Sequence, residues 1–143
     1  MGNLNLSVVS IRWVLTAMRF ASNKKEKTME REQIAAILIE ANERGRAAAA
    51  EAQPELIQVK DQDGRVFDPF PICGFAEVRV KGLKGKTLAE FKRRGFEKHY
   101  SVGQYLWVSD FNQSYDLKSA YARAYANTLK EHGFNAWSES RLD

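Results

Sequence analysis

Residues 74–81 read GFAEVRVK and residues 104–109 read QYLWVS. Within each segment, successive side chains fall alternately on two opposite faces if the backbone is extended, which is the two-residue period of a β-strand. In the second segment Tyr105 and Trp107 fall on one face, whereas Leu106 and Val108 fall on the other. The two segments therefore predict two strands of one sheet, from which the remaining elements can be placed.

A helix is expected between these two strands. Thr87 and Glu90 have the spacing of a capping box, which predicts a helix over residues 88–98. In that helix Phe91 faces the core and Lys92 faces water. A helix at this position would connect the two predicted strands.

A second helix and a third strand are expected after residue 109. Ser114 is a good N-cap residue, and the apolar stripe that follows it ends near Gly133. Residues 134–137 predict a strand, and the polar residues 138–143 predict a solvated tail.

The preceding part of the chain predicts one helix and a hairpin. Residues 30–51 carry apolar side chains at helical spacing, with Thr28 as a candidate cap. Segments 56–59 and 65–67 can pair across a turn at 61–64, and the prolines of 68–71 are expected to break regular structure. The fold class predicted is α+β, with a small, mainly antiparallel sheet of three to four strands and two or three packed helices.

Residues 1–28 are predicted to lie outside this domain, as a translated leader or a disordered extension. Their apolar run is shorter than the ~20 residues of a membrane span and contains Arg12. Lys25-Glu26 can be encoded by a bacterial ribosome-binding sequence at a suitable distance from Met29. Residues 29–143 are therefore expected to form one domain that starts at Met29 and does not enter a membrane.

The net charge of +4 comes entirely from residues 1–28. The remainder is divided, because residues 29–77 have a net charge of −5 and residues 78–143 have one of +5. Basic side chains next to aromatic ones are typical of surfaces that bind single-stranded nucleic acid. The candidate binding surface consists of Lys84, Lys86, Lys92, Arg93, Arg94, Lys98, Tyr100, Tyr105 and Trp107.

No pattern in the chain points to catalysis. Gly85-Lys86-Thr87 lacks the earlier glycine of a phosphate-binding loop, because Val80 occupies that position. The chain contains two histidines and one cysteine, too few for a zinc site, and Cys73 is expected to be a small core residue. We therefore expect neither an enzyme nor a bound cofactor or metal.

Four segments in the second half of the chain resemble small uncharacterised proteins encoded by bacteriophages and prophages. These segments are Cys73 to Ala76, Gln113-Ser114, Lys118 to Ala124 and Ser140 to Asp143, and the resemblance covers about residues 73–143. It implies a protein that acts in the cytoplasm of a bacterial host cell. It implies no activity and no site residues.

Two functions remain open from the sequence. The first is a non-catalytic phage accessory or inhibitory protein that binds a host or phage protein. Its two oppositely charged halves are also compatible with a homo-oligomer. The alternative is a DNA- or RNA-binding protein that uses the basic segment 79–98 with the adjacent aromatic side chains.

Overall fold

A computed structural model of the protein describes residues 29–143. The helices in this range are α1 (Arg31–Glu51), α2 (Gly85–Arg93) and α3 (Tyr115–Glu131). The strands are β1 (Leu56–Ile57), β2 (Phe70–Pro71), β3 (Gly74–Lys81), β4 (Glu97–Lys98), β5 (Gln104–Trp107) and β6 (Asn135–Leu142). The predicted leader and the predicted cap Thr28 lie outside the described residues.

The main sheet has four strands in the order β4-β5-β3-β6, and every neighbouring pair is antiparallel. Along the chain the elements follow as β3-α2-β4-β5-α3-β6, so each helix connects two strands that are separated in the sheet by a third. This is the connectivity of a split β-α-β fold. The predicted α+β class, with a mainly antiparallel sheet and packed helices, is confirmed.

The helices cover one face of the sheet. Ala76, Val78 and Val80 alternate along β3 and are at most 2% exposed. The apolar stripe of α3, including Ala122 and Leu129, is buried to the same degree. Burial of these side chains supplies most of the favourable free energy of the fold, at about 25 cal/mol for each Å² of apolar surface.

An aromatic cluster fastens α2 to this layer. Phe91 of α2 is fully buried, and its ring lies edge-on to the rings of Phe96 and Phe134, with centroids 5.0 and 5.1 Å away. Phe96 in turn contacts Tyr125 of α3. The cluster places α2 in the helical layer and leaves its basic residues on the outside.

Helix α1 packs against α3 through a close approach at Gly45. A Cβ atom at this position would lie 2.7 Å from a ring carbon of Tyr121. The phenol of Tyr121 donates a hydrogen bond to Asn42 of α1, and burial raises its pKa to about 12. Residues 31–143 form one compact unit.

The predicted hairpin forms, and its pairing extends beyond the expected partner segment. Leu56 and Ile57 pair with Pro71 and Phe70, in the segment that was expected to break regular structure. Nearer the turn, Lys60 and Val66 form a bridge, and the N–H of Phe67 donates to the carbonyl of Val59, which is the pairing expected for residues 65–67. A proline is compatible with this short two-stranded ladder because its missing N–H can point away from the partner strand.

The prediction for α2 was wrong in its limits. The helix begins at Gly85 after Lys84, which makes no side-chain cap, so Thr87 lies inside the first turn and does not cap it. The helix also ends at Arg93, and residues 97–98 form strand β4. Gly95 adopts a φ of +99°, which reverses the chain between helix and strand.

The prediction of a solvated C-terminal tail was also wrong. Strand β6 continues to Leu142 and pairs with β3 along its whole length, from Asn135↔Lys81 to Leu142↔Gly74. The N–H of Asp143 then donates to the carbonyl of Cys73. Cys73 itself is half-buried at the start of β3 and is not a core residue.

Candidate functional site

The sheet face opposite the helices carries the candidate site. Alternation along β3 directs Phe75, Glu77 and Arg79 to this face, and the register places Trp107 opposite Glu77 and Tyr105 opposite Arg79. Glu139 of β6 lies opposite Glu77 on the other side. We call this surface the open face. The sequence correctly predicted that Tyr105 and Trp107 would share a face.

A cavity of about 630 Å³ lies on the open face. Its aromatic walls are Phe75, Tyr105 and Trp107, together with Tyr100 from the loop that follows β4. The rings of Phe75 and Trp107 are in contact, with centroids 5.3 Å apart, and Tyr100 is 95% exposed. Two central strands and one loop therefore bring four aromatic side chains to one concave surface.

Arg79 forms the polar centre of the open face. It is only 4% exposed, and its Nη2 donates to the Val102 carbonyl at 2.7 Å and to Ser101 Oγ at 3.1 Å. Its Nη1 lies 3.3 Å from Glu139 and 3.5 Å from Glu77. These bonds tie the loop of residues 99–103 to the middle of the sheet.

His99 and Ser101 complete this polar group. The Ser101 N–H donates to His99 Nδ1 at 3.1 Å, so the neutral ring carries its proton on Nε2, which lies 3.7 Å from Glu77 Oε1. The Ser101 hydroxyl donates to the same Nδ1 at 2.8 Å. The side chains of Ser101, His99 and Glu77 contact one another in series, as they do in some hydrolases. However, Ser101 Oγ also accepts a hydrogen bond from Arg79, and the Ser101 N–H donates to the same Nδ1 as the hydroxyl. The arrangement therefore orders the loop of residues 99–103.

Nothing in the sequence pointed to this polar group. Its members come from β3 and from the loop before β5, and only the β3–β5 register brings them together. The alternation along β3 indicated which face Glu77 and Arg79 occupy, but it could not identify their partners.

Cationic side chains lie beside the aromatic wall. The guanidinium carbon of Arg141 lies 5.4 Å from the centroid of the Phe75 ring, and the ammonium of Lys118 lies 5.9 Å from it. Lys98 lines the cavity from β4. Arg141 and Lys118 were not among the predicted binding residues.

The structure divides the predicted binding surface. Lys98, Tyr100, Tyr105 and Trp107 line the cavity of the open face. The other predicted residues lie on or beside α2 in the helical layer: Lys84, Lys86, Lys92, Arg93 and Arg94. The aromatic part and most of the basic part are thus on different faces of the molecule.

A second, smaller cavity of about 350 Å³ lies on the helical side of β5. Ile39 of α1, Arg94 and Tyr121 contribute to its lining, and so does Trp107. Trp107 therefore forms a wall of both cavities.

The hairpin presents an apolar surface of its own. The β1–β2 register pairs Ile57 with Phe70, and the bond from the Phe67 N–H to the Val59 carbonyl places those two residues opposite each other. All four side chains are apolar, and each is 38–46% exposed. We call these four side chains the hairpin patch.

Within residues 29–143, no helix has both the length and the apolar character needed to cross a bilayer. The same residues contain no group of three or more histidine, cysteine, aspartate or glutamate side chains arranged to hold a metal ion. Asp61, one of the carboxylates near the hairpin turn, accepts bonds from the N–H groups of Asp63 and Arg65 and so stabilises the turn.

Comparison with known proteins adds no relative: no family model, no curated protein and no solved structure matches this chain.

Proposed function

We propose that this protein binds single-stranded nucleic acid on its open face. The observation that carries the proposal is the aromatic cavity, in which Phe75 of β3 and Tyr105 and Trp107 of β5 stand side by side on the two central strands. Unpaired bases stack on such side chains, at about 1–3 kcal/mol per base. Some four-stranded sheets that bind RNA use aromatic residues on two of their strands in this way.

Cations at the edges of the open face support the same proposal. Lys98 lies on β4, Arg141 on β6, and Lys81 at the end of β3, so phosphates of a strand crossing the face would meet positive charge at several points. Three such contacts predict a slope of about −2 for log K against log salt concentration. Affinity should therefore fall about 15-fold between 50 and 200 mM salt.

The test is fluorescence anisotropy with labelled single-stranded and double-stranded oligonucleotides. We expect Trp107→Ala to weaken single-strand binding about 10- to 100-fold, from the loss of one stacking contact. Trp107→Phe, which retains an aromatic ring, should recover most of the affinity. Double strands should bind more weakly because their bases are not free to stack.

A charge-reversal control separates the two surfaces on which the predicted residues lie. Arg93→Glu combined with Arg94→Glu alters the helical layer and leaves the open face intact. If the open face carries the function, this variant should bind with nearly wild-type affinity. Loss of binding in this variant, with Trp107→Ala unaffected, would assign the activity to α2 and contradict the proposal.

The hairpin patch favours a second candidate function, docking on another protein. An isolated two-stranded hairpin is only marginally stable in water, and contiguous exposed apolar side chains mark interaction sites. A phage accessory or inhibitory protein could use this patch to bind a host or phage protein. Sedimentation would also reveal a homo-oligomer formed through it, and Val59→Asp with Phe67→Asp should abolish either association without unfolding the domain.

Both candidates describe a non-catalytic protein without a cofactor. The resemblance of residues 73–143 to phage-encoded proteins supports a role in the cytoplasm of a bacterial host cell. Of the two, nucleic-acid binding has the more specific geometric support, because the aromatic cavity combines stacking surfaces with cations.

A further inference from the structure

A carboxylate stands in the middle of the aromatic cavity. Glu77 lies between Phe75 and Arg79 on the open face and directly opposite Trp107 in the β3–β5 ladder. Its side chain is 14% exposed and lines the cavity. Side chains directly opposite in an antiparallel pair have Cβ atoms about 5 Å apart. A base stacked on Trp107 would therefore have one edge next to Glu77.

The two oxygens of Glu77 have different surroundings. Oε1 lies 3.5 Å from Arg79 Nη1 and 3.7 Å from His99 Nε2, which carries the ring proton. Oε2 has no hydrogen-bond partner within residues 29–143. It is also not enclosed by the protein, so a ligand can reach it. One oxygen thus faces two cationic or N–H groups of the protein at ion-pair distance, whereas the other is left to accept a bond from a ligand.

We infer, on the basis of the proposed function, that Glu77 selects bases that present an amino group, and cytosine over uracil in particular. An ionised carboxylate only accepts hydrogen bonds. Cytosine offers the N4 amino group as a donor, whereas uracil has the O4 carbonyl at the same position and would face Oε2 with a second acceptor. The two bases have nearly the same stacking surface, so Glu77 is the residue that distinguishes them.

The experiment compares short single-stranded oligomers of deoxycytidine and deoxyuridine, whose bases differ in the group at position 4 and in the proton that uracil carries on N3. Wild-type protein should bind the deoxycytidine oligomer about tenfold more tightly, by anisotropy near neutral pH. Glu77→Gln should remove this preference, because the glutamine amide can donate to O4 as well as accept from N4. The matched control is Glu97→Gln on β4, which makes the same change of charge and should retain the preference.

The outcomes separate this inference from the function on which it rests. Equal affinity of wild-type protein for the two oligomers would overturn the selection by Glu77 and leave nucleic-acid binding intact. A preference that survives Glu77→Gln, or that Glu97→Gln also abolishes, would overturn it as well. Failure of wild-type protein to bind either oligomer would refute the proposed function and this inference together. The wild-type comparison requires no variant, so the test does not depend on how Glu77→Gln folds.

Discussion

Replacement of Arg79 by alanine should both destabilise the fold and weaken the site. The guanidinium is 4% exposed and serves four acceptors: two carboxylates, one hydroxyl and one carbonyl. Removal of one member of a buried ion pair costs about 3–5 kcal/mol. The lower end of this range applies here, because the Glu139 side chain is 52% exposed and Arg79 Nε already lacks a partner. We therefore expect a loss of about 3 kcal/mol of unfolding free energy.

Urea unfolding, followed by far-UV circular dichroism, measures this loss. Glu139→Gln is the control, since it breaks only the exposed pair and should cost less than about 1 kcal/mol. Nucleic-acid affinity should fall in Arg79→Ala under conditions in which the variant is still folded, because the loop of residues 99–103 loses its anchor. A loss of less than 1 kcal/mol with an unchanged denaturant slope would refute the assignment of Arg79 as the centre of the open face.

Three further predictions concern the fold. Ser114→Ala should lower the unfolding free energy by about 1 kcal/mol, because the Ser114 hydroxyl accepts a hydrogen bond from the N–H of Leu117. Thr87→Ala is the control in the same urea titration, and it should change the unfolding free energy by less than half of that amount. Gly74→Ala should cost about 3 kcal/mol and lower the melting temperature, since the new Cβ would lie 2.6 Å from a Tyr115 ring carbon and 2.7 Å from a backbone carbonyl oxygen; a variant as stable as wild type would contradict this packing. Tyr121 should make the protein less stable as pH rises. The pKa of Tyr121 in the folded state is about 12, above the ordinary value of 10.0. Its contribution to the unfolding free energy is therefore intact below pH 10 and is lost as the pH rises from 10 to about 12. Stability measured across that range should show a smaller decline in Tyr121→Phe.

The sequence predicted those features that follow from short-range periodicity. Alternation along β3 and β5 gave the strands and the shared face of Tyr105 and Trp107, and the cap at Ser114 gave the start of α3. It failed where a short-range signal competed with tertiary packing. The Thr87–Glu90 spacing matches a capping box, but Glu90 is 6% exposed and lies 3.4 Å from Arg93, and the helix starts two residues before Thr87.

The site was less predictable than the fold. The charged residues of α2 are close in sequence to the aromatic strand, and sequence proximity suggested one surface. Burial of Phe91 instead fixes α2 in the helical layer, so its exposed cations point away from the open face. The polar residues that do converge on that face, His99 and Glu77, are 22 positions apart and meet through strand register, which composition and spacing do not encode.

The position of Trp107 in the wall of both cavities links the two sides of the sheet. A ligand that displaces Trp107 from one side would alter the lining of the other cavity, which is bordered by Ile39 of α1 and by Tyr121 of α3. Any such effect is reciprocal, because the free energy that couples two binding events is the same in both directions. One residue of β5 thus gives this small domain a route for communication between its open face and its helices.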